Sequence, residues 1–451
     1  MKIALIGAAG VRTPLLVHGL AGAGERARID EIALWDTDQV RLQAIARVAE
    51  AMAQRSGFQA QLKICTAAEQ AIEGADYIIT SIRVGGIDAR VKDETIALAH
   101  GLVGQETVGA GGFACAMRNL AAMLDYAKLI ERWAPRGTVI NFTNPVGIIS
   151  QGLLNHSGIN LIGVCDTPLE TFESIAQALG RNPFALHFDY IGLNHLGWVR
   201  SIRDEKSTEL LPELLSSAER IEKCYRHGLF PAGFIQKLGL LPTEYLYFYY
   251  FPQTAINNTA RSGQSRGQAI AKMNERLFPA LAQAPKSKLI EIYEEYLRER
   301  NASYFSIEAT AGERRKEGQQ LYSEFSGYER IALLVLRALH SEKASLIPLT
   351  VRNDGALQDL QANDAVELPC EVSSGGVKVL PVGQAPEVVR GLLLQMKEYE
   401  RLTVEASVEH SREKALAALQ RNPLVEEPKI ARKILADYVQ AFGKQMRLRA
   451  A

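Results

Sequence analysis

The N-terminal third of the chain alternates short β-rich runs with amphipathic helical stretches, and this alternation constrains the fold more than any other feature. The runs with the apolar composition of buried strands are KIALI, EIALW, QLKIC, YIITSI, TVINF and LIGVC. Apolar residues at helical spacing between them, as in residues 38–55, predict connecting helices. Such alternation is typical of a parallel sheet with helices on both faces. We therefore predict an α/β fold with an N-terminal, doubly wound sheet.

The rest of the chain, past Leu193, changes to long helical stretches and irregular segments. The helical stretches include residues 268–277, 286–300 and 328–339. Two β-rich runs, VELPCEV and GVKVLPV, flank a Ser-Ser-Gly-Gly turn and predict a hairpin around residues 373–376. Because the sequence has no Pro/Gly-rich linker, we expect two closely packed domains: residues 1–193 with the sheet and residues 194–451 with an α+β fold.

Charge and hydropathy exclude several classes of partner. The 451 residues include 51 Lys and Arg against 51 Asp and Glu, so no net field favours nucleic acid, an anionic membrane or an acidic protein. No apolar run approaches the ~20 residues that cross a bilayer. The start of the chain reads as a strand and glycine loop rather than a signal peptide, because Arg12 and Pro14 interrupt its apolar run. We expect a small-molecule substrate.

Cysteine usage indicates a compartment. The five cysteines are widely spaced, odd in number and form no CxxC pair. This pattern fits a reducing environment and argues against a disulfide framework. We expect a soluble, cytoplasmic protein.

The loop after the first strand, GAAGVRTP, has features of a dinucleotide-binding turn. Gly7 and Gly10 let the backbone approach a pyrophosphate at a helix N-terminus, and Val11 and Arg12 continue the turn. The third glycine of GxGxxG is missing, so a plain strand-to-helix turn is the alternative. Asp36 favours the first interpretation, because a carboxylate ending the second strand binds the adenosine ribose hydroxyls and repels a 2′-phosphate. Together these residues predict a Rossmann-like domain that binds NAD rather than NADP.

Polar segments follow three later strands. They are NFTNP with Asn141 and Asn144, VCDTP with Cys165, and GLNHLGW with Asn194 and His195. Ligands bind at the carboxyl ends of strands in doubly wound folds. A thiolate and an imidazole are good ligands for a divalent transition metal, and amides or substrate hydroxyls can complete its coordination. Singly, each residue also fits a structural role, but their shared position favours a metal site beside the nucleotide loop.

Residues 82–113 are unusually rich in glycine and charge for a crossover connection. Arg83, Arg90, Gln105 and Glu106 in this segment can line a pocket for a polyhydroxylated, anionic ligand. A solvated surface loop is the alternative interpretation.

The order of motifs along the whole chain matches a known family. The motifs are GxxGxRTP, GLVGQETVGAGGF, VINFTNPVG, GLNHLGW, PTEYLYFYY, RNDG with LPCEV, and YERLTVEASVEHSREKALAALQRNPLV. With them the sequence resembles the NAD- and metal-dependent glycoside hydrolases of family four, most closely their 6-phospho-β-glucosidase branch. The resemblance implies a lactate/malate dehydrogenase-like fold, NAD and a divalent metal, foremost Mn²⁺, as cofactors, and a homodimer or homotetramer.

The resemblance also implies roles for individual residues. They are Cys165 and His195 as metal ligands, Tyr245 as catalytic base, Asn144 and Glu106 as sugar contacts, and Arg90 and Arg266 near the 6-phosphate. We add Asn194 to the substrate contacts and Asn144 to the cofactor contacts, because both follow strand ends. Tyr247, Tyr249 and Tyr250 of the same aromatic run are alternatives to Tyr245.

Two departures from the family pattern affect the expected substrate. Asp166 follows Cys165 where the phospho-β-glucosidases usually have Asn, and GAAGVRTP is less glycine-rich than is common. The added negative charge of Asp166 weakens the expectation of a 6-phosphate more than it weakens the expected chemistry.

The implied reaction is an exception to glycoside hydrolysis by paired carboxylates. NAD⁺ takes a hydride from sugar carbon 3, Tyr245 removes the acidified proton from carbon 2, and the aglycone leaves carbon 1 by elimination. Water then adds and the hydride returns. The metal on Cys165 and His195 stabilises the enediolate. Tyr245, normally near pKa 10, needs an adjacent cation for its phenolate.

Other classes predict different outcomes. Within the family, unphosphorylated glycosides, uronides or α-linked sugars are alternative substrates. A net NAD-dependent dehydrogenase predicts accumulation of NADH, whereas the hydrolase predicts none. A non-catalytic sugar- or NAD-binding regulator tolerates loss of Cys165, His195 or Tyr245, all of which are present.

Overall fold

The computed structural model describes residues 1–21, 28–58, 61–312, 321, 327–425 and 427–449. Its N-terminal strands are β1 (Lys2–Ile6), β2 (Glu31–Trp35), β3 (Gln61–Ile64), β4 (Tyr77–Thr80), β5 (Thr138–Asn141) and β6 (Asn160–Gly163). They are parallel and lie in the order β3-β2-β1-β4-β5-β6. This order is that of a dinucleotide-binding sheet, whose ligands bind where the strand order reverses.

Helices cover both faces of this sheet. They are α1 (Thr13–Ala21), α2 (Gln39–Arg55), α3 (Ala68–Ile72), α4 (Gly86–Ala99), α5 (Gly109–Trp133), α6 (Val146–His156) and α7 (Thr167–Leu179). Ile3 and Leu5 belong to one apolar cluster, whereas the alternate residues Ala4 and Ile6 belong to another. Because both faces of the strand are buried, its sequence is continuously apolar. The predicted α/β architecture is confirmed.

The C-terminal half adds strands to the same sheet. Its strands are β7 (Leu186–Leu193), β8 (Leu196–Asp204), β9 (Leu241–Pro242), β10 (Ser345–Arg352), β11 (Ala365–Ser373) and β12 (Gly376–Val379). Strand β10 continues the sheet antiparallel to β6, and β11 and β12 follow it, while β7, β8 and β9 form a second sheet. The predicted hairpin is confirmed, with Ser373 opposite Gly376.

The C-terminal helices are α8 (Leu211–Leu215), α9 (Ala218–Lys223), α10 (Ala232–Leu238), α11 (Tyr247–Tyr250), α12 (Pro252–Ser262), α13 (Arg266–Gln283), α14 (Leu289–Ala302), α15 (Ser306–Thr310), α16 (Tyr328–Leu339), α17 (Glu387–Glu409), α18 (Arg412–Arg421) and α19 (Pro428–Phe442). The predicted helix at 328–339 coincides with α16. Helix α13 extends beyond the predicted 268–277, because Ser265 and Gln268 form a capping box that starts it at Arg266.

One apolar core joins the two halves of the chain. It includes Leu5 and Phe113 together with Leu393 and Tyr438, and α17 packs on α5 and α6. The β7–β8 hairpin crosses residue 193, so the domain boundary there stays a prediction.

All five cysteines are buried and none is bonded to another. Across the described ranges, no helix combines the length and apolarity needed to cross a membrane.

Candidate active site

A cleft of about 1520 Å³ opens where β1, β2, β4, β5 and β6 end. Its walls include residues that directly follow these strands and residues of α13, α14 and α16 from the C-terminal half. Residues 82–113 do not form a surface loop. They contain α4 and the start of α5, and Arg83, Arg90 and Glu106 line the cleft.

The glycine loop packs tightly against β4. Gly7 has φ +90°, and a Cβ there would lie 2.4 Å from the carbonyl oxygen of Ser81. Only glycine fits this position. A Cβ on Gly10 would meet nothing closer than 3.4 Å, so Gly10 instead leaves its backbone open to the cleft. Val11 and Arg12 line the cleft at the start of α1, the arrangement that accepts a pyrophosphate.

The Asp36 carboxylate is oriented by the backbone. Its oxygens accept hydrogen bonds from the amides of Ala9 and Asp38, each at 2.9 Å. Asp36 also lines the cleft beside Gly7 and Gly10. The fixed carboxylate is thereby available to ribose hydroxyls at the end of β2.

Arg12 neutralises Asp166. Its guanidinium lies 3.2 Å from the Asp166 carboxylate and 4.5 Å from the ring centre of Tyr328. Burial lowers the pKa of Arg12 and Asp166 raises it, with a net upward shift, so Arg12 stays charged. The negative charge that weakened the expectation of a phosphate is therefore paired within the protein.

Cys165 and His195 both line the cleft. The imidazole Nδ1 of His195 is buried without a hydrogen-bond partner. Burial lowers the pKa of His195 to about 4, against the opposing charges of Asp166 and Glu106, so the ring is neutral near pH 7 and keeps a lone pair. Burial, followed by Glu367 and Asp166, raises the pKa of the Cys165 thiol well above its usual value.

A neutral imidazole and a buried thiol fit a divalent transition metal, whose charge deprotonates a coordinating thiol. No set of three or more His, Cys, Asp or Glu side chains in the described ranges can hold a metal. A metal held by Cys165 and His195 would therefore need further oxygen ligands from a substrate or water.

Tyr245 lies directly against this pair. It is in a 3₁₀ turn at Glu244–Leu246, and its ring stacks on that of His195 with centroids 3.7 Å apart and planes 3° apart. The hydroxyl of Tyr304 donates a hydrogen bond to the Tyr245 hydroxyl at 3.1 Å. Burial raises the pKa of Tyr245, against the opposing effect of this bond.

The neighbouring tyrosines are engaged elsewhere. Tyr247 donates to the carbonyl oxygen of Glu308 at 3.1 Å, and Tyr250 accepts from Trp198 Nε1 at 3.0 Å. Of the tyrosines in YLYFYY, Tyr245 alone lines the cleft among the residues described. Its position in the cleft therefore favours Tyr245 over Tyr247, Tyr249 and Tyr250 as the candidate base.

An arginine cluster lines another part of the cleft. Arg90 pairs with Glu94 and with Glu106, each at 2.8 Å, and Arg83 also pairs with Glu106. Burial opposes ionisation of Glu106, yet Arg83 and Arg90 lower its pKa to about 2.

Two more guanidiniums complete the cluster. Arg266 and Arg300 both line the cleft; Arg266 donates to the carbonyl oxygen of Ser303, and Arg300 donates to the hydroxyl of Tyr296 at 3.0 Å. Burial raises the pKa of Glu308, a third carboxyl group beside Arg266. Set against Glu94, Glu106 and Glu308, the cluster of four arginines still keeps an excess of positive charge.

Asn144 lines the cleft, and its side-chain oxygen is buried without a partner. It is thus available to a sugar hydroxyl or to the cofactor. Asn141 is not, because its Oδ1 accepts from Thr80 at 2.9 Å and from the amide of Thr143 at 3.0 Å. Pro145 directly precedes α6, which begins at Val146.

Two predicted pocket residues lie outside the cleft lining. Asn194 donates to Glu367 at 3.2 Å and accepts from the amide of Gly147 at 3.4 Å. The side-chain oxygen of Gln105 accepts from Thr107 Oγ1 and the amide of Val108, both at 2.9 Å. Both side chains hold loops in this structure, and their assignment as ligand contacts stays a prediction.

Sequence inspection missed several cleft residues. They are Glu170, Arg226, Arg300, Tyr304 and Tyr328. Burial and the adjacent Asp166 raise the pKa of Glu170 to about 8, against Arg226 and Arg12. A carboxyl group that is protonated near pH 7 is a proton donor. Glu170 lies on α7 directly after the VCDTP segment, whereas the other four reach the cleft from the C-terminal half through tertiary packing, which no motif marks.

Comparison with known proteins gives matches along nearly the whole chain. The model described as family 4 glycosyl hydrolase matches residues 2–181, and that of the family 4 glycosyl hydrolase C-terminal domain matches residues 190–425. The 6-phospho-beta-glucosidase BglT of Thermotoga maritima is 28% identical over 99% of this chain and 100% of its own length. The phospho-alpha-glucosidase PagL of Clostridium acetobutylicum is 28% identical over 98% and 97%.

Solved structures agree in fold. The Thermotoga maritima 6-phospho-beta glucosidase with manganese, NAD⁺ and glucose-6-phosphate has a TM-score of 0.82 at 26% identity, covering 100% of both chains. A lactate dehydrogenase from a deep-sea metagenome library has a TM-score of 0.53 at 13% identity, covering 90% of this chain and 98% of its own. The second likeness concerns the fold alone and confirms the predicted dehydrogenase-like architecture.

Proposed function

The chain belongs to the family 4 glycosyl hydrolases, and from this we propose that it hydrolyses 6-phospho-β-glucosides with NAD⁺ and a divalent metal, foremost Mn²⁺. The observation that carries the proposal is the shared cleft: the glycine loop with Asp36, the pair Cys165 and His195, and Tyr245 all line it. A dehydrogenase needs the loop but not the metal pair, and a metal hydrolase needs the pair but not the loop.

The arginine cluster supports a phosphorylated sugar. Arg83, Arg90, Arg266 and Arg300 outnumber the carboxyl groups of Glu94, Glu106 and Glu308, and Arg83 and Arg90 both pair with Glu106. A phosphate monoester carries between one and two negative charges near pH 7. Because Arg12 already pairs with Asp166, that carboxylate adds little repulsion.

The two cofactors supply what the side chains lack. Bound NAD⁺ would supply a reversible hydride acceptor for sugar carbon 3, and the oxidised carbon 3 would acidify the proton on carbon 2. A divalent metal, held by Cys165 and His195, supplies Lewis-acid polarisation of the oxygens on carbons 2 and 3.

The chain's own groups handle the protons. The phenolate of Tyr245, which the charge of an adjacent metal would favour and which receives a hydrogen bond from Tyr304, takes the proton from carbon 2 and returns a proton there after water has added. The C1–O bond breaks, its electron pair stays on the aglycone oxygen, and the Glu170 carboxyl protonates that oxygen. The Glu170 carboxylate then takes a proton from the water that adds to carbon 1. Asn144 accepts a hydrogen bond from a sugar hydroxyl.

An α-glucoside is the second candidate. PagL, a phospho-alpha-glucosidase, is as similar to this chain as BglT is, at 28% identity. Elimination after loss of the carbon-2 proton does not depend on a direct displacement at carbon 1, so the described groups serve either anomer. The β preference follows from the resemblance of the sequence motifs, PTEYL with Tyr245 among them, to the 6-phospho-β-glucosidase branch, and it stays a prediction, as does the homo-oligomeric assembly.

The test uses p-nitrophenyl β- and α-glucosides with and without a 6-phosphate, in the presence of NAD⁺, Mn²⁺ and a thiol reductant. Nitrophenol release and NADH absorbance are followed together. The proposal expects release from the phosphorylated β-glucoside that requires both cofactors, without net NADH. Release from the α-glucoside alone, or from the unphosphorylated glycoside alone, would overturn the proposed substrate but would leave the proposed mechanism in place. Steady NADH growth without nitrophenol makes the protein a dehydrogenase.

A further inference from the structure

The side chain of Glu367 lies beneath the turn that carries His195. Glu367 is on β11 and is 1% exposed. Its Oε2 accepts from the hydroxyl of Tyr190 at 2.7 Å, and its Oε1 accepts from Asn194 Nδ2 at 3.2 Å. Neither residue is charged, and no Lys or Arg in the described part of the chain forms an ion pair with Glu367. Burying a carboxylate that has only neutral hydrogen-bond donors lowers the stability of the fold.

The turn itself is held in a sparsely populated conformation. His195 has φ +62°, a left-handed backbone angle that is uncommon for residues other than glycine, although Asn, Asp and His adopt it more often than the rest. Such a conformation persists when the surrounding structure fixes it. The preceding residue, Asn194, is fixed on two sides, by Glu367 and by the amide of Gly147.

Gly147 closes the other side of this arrangement. A Cβ there would lie 2.7 Å from a carboxylate oxygen of Glu400 and 3.3 Å from the Cβ of Asn194. Asn194 therefore lies between the start of α6, which follows the NFTNP loop, and the C-terminal strand β11. The turn has little freedom while both contacts persist.

We infer that Glu367 is a positioning residue of the metal pair: through Asn194 it fixes the turn that presents the His195 imidazole to the cleft. The inference depends on the proposed function, because it requires that His195 binds a metal. Glu367 is not among the residues that line the cleft. Outer-shell partners of this kind orient a metal-binding histidine, and their loss costs about 10- to 100-fold in metal affinity.

Mn²⁺ affinity of the whole protein, measured by electron paramagnetic resonance of free Mn²⁺ with NAD⁺ and glucose 6-phosphate present, tests this. Glu367→Gln keeps the shape of the side chain but faces Asn194 or Tyr190 with an amide. We expect Mn²⁺ binding about 10- to 100-fold weaker, with the NAD⁺ dissociation constant and the melting temperature nearly unchanged. A merely structural role would shift all three together.

A double-mutant cycle tests the route through Asn194. In an Asn194→Ala background, Glu367→Gln is expected to change Mn²⁺ affinity by less than about twofold, because the contact is already lost. Full Mn²⁺ affinity in Glu367→Gln overturns the inference, as does an equal loss of affinity in both backgrounds. Absence of Mn²⁺ binding by the wild-type protein overturns the proposed function as well, so the two failures are distinguishable.

Discussion

The imidazole of His195 lies flat against the phenol ring of Tyr245, with ring centroids 3.7 Å apart and an angle of 3° between the planes. The stack places a candidate base in van der Waals contact with a candidate metal ligand. A base that takes a proton from carbon 2 has to lie beside a metal that polarises the oxygens of carbons 2 and 3. The stacked pair is therefore the geometric centre of the proposed reaction.

Tyr245→Phe removes the proposed base while keeping the ring and its stack. We expect kcat to fall about 10²- to 10⁴-fold, the usual contribution of a general base, with NAD⁺ affinity unchanged. Tyr250→Phe is the matched control from the same aromatic run, since its hydroxyl bonds Trp198 outside the cleft. Nitrophenol release measured for both variants is the check. Equal activities in the two variants would remove Tyr245 from the mechanism.

Cys165→Ser replaces a thiol ligand by a hydroxyl. Because loss of an outer-shell partner already costs 10- to 100-fold, we expect Mn²⁺ to bind at least about 100-fold more weakly. Cys224→Ser is the control, because Cys224 is also a buried cleft cysteine but lies at the end of α9. Chelator should abolish nitrophenol release by the wild type, and Mn²⁺ should restore it. Strong Mn²⁺ binding by Cys165→Ser would show that the metal lies elsewhere.

Arg300→Gln tests the phosphate end of the cleft. A hydrogen bond to a charged group is worth about 1.5–3 kcal/mol, so KM for the 6-phosphorylated glycoside is expected to rise roughly 10- to 100-fold. Arg298→Gln on the same helix is the control, since its side chain is 59% exposed and pairs with Glu294. Steady-state kinetics measure both. An unchanged KM in Arg300→Gln would place the phosphate away from this guanidinium.

Glu170→Gln tests whether Glu170 is the proton donor, by comparing glycosides whose leaving groups do and do not need protonation. In a single turnover, before the step in which Glu170 takes a proton from water, release of an alkyl alcohol, which needs protonation, is expected to fall about 10²- to 10⁴-fold, while release of nitrophenol falls far less. Because burial and Asp166 raise the pKa of Glu170 to about 8 against Arg226 and Arg12, the acid form is present below that pH and is lost above it. Wild-type release of the alkyl alcohol should therefore decline as the pH rises through about 8.

The control for this prediction is Glu173→Gln, one turn further along α7. We expect it to leave the ratio of the two release rates close to that of the wild type. Equal losses on alkyl and nitrophenyl glycosides in Glu170→Gln would mean that Glu170 supports the structure rather than the departing oxygen.

The sheet was predictable from sequence because both of its faces are buried. Strands such as KIALI are apolar at every position after Lys2, since Ile3 and Ala4 enter different clusters. Strand ends were predictable for the same reason: Asp36, Asn144 and Cys165 each follow such a run. The cleft residues that directly follow these strands could therefore be located from the sequence.

Polar residues were harder to assign, because the sequence does not show which polar atoms are satisfied internally. Asn144 and Asn194 both follow strands, yet only Asn144 keeps a free oxygen in the cleft, while Asn194 bonds Glu367 and Gly147. Arg300 and Tyr304 were missed because α14 and the turn after it reach the cleft through tertiary packing. The positions of Arg300 and Tyr304 in the sequence match no motif or strand end that would indicate a place in the cleft.

The most direct test of the central claim is hydrolysis of the phosphorylated glycoside in D₂O, with NMR and mass analysis of the released glucose 6-phosphate. If Tyr245 removes the carbon-2 proton and the base exchanges with solvent, the product carries deuterium at carbon 2. A product that retains only hydrogen at carbon 2 while the aglycone is released would contradict the account and require direct displacement at carbon 1.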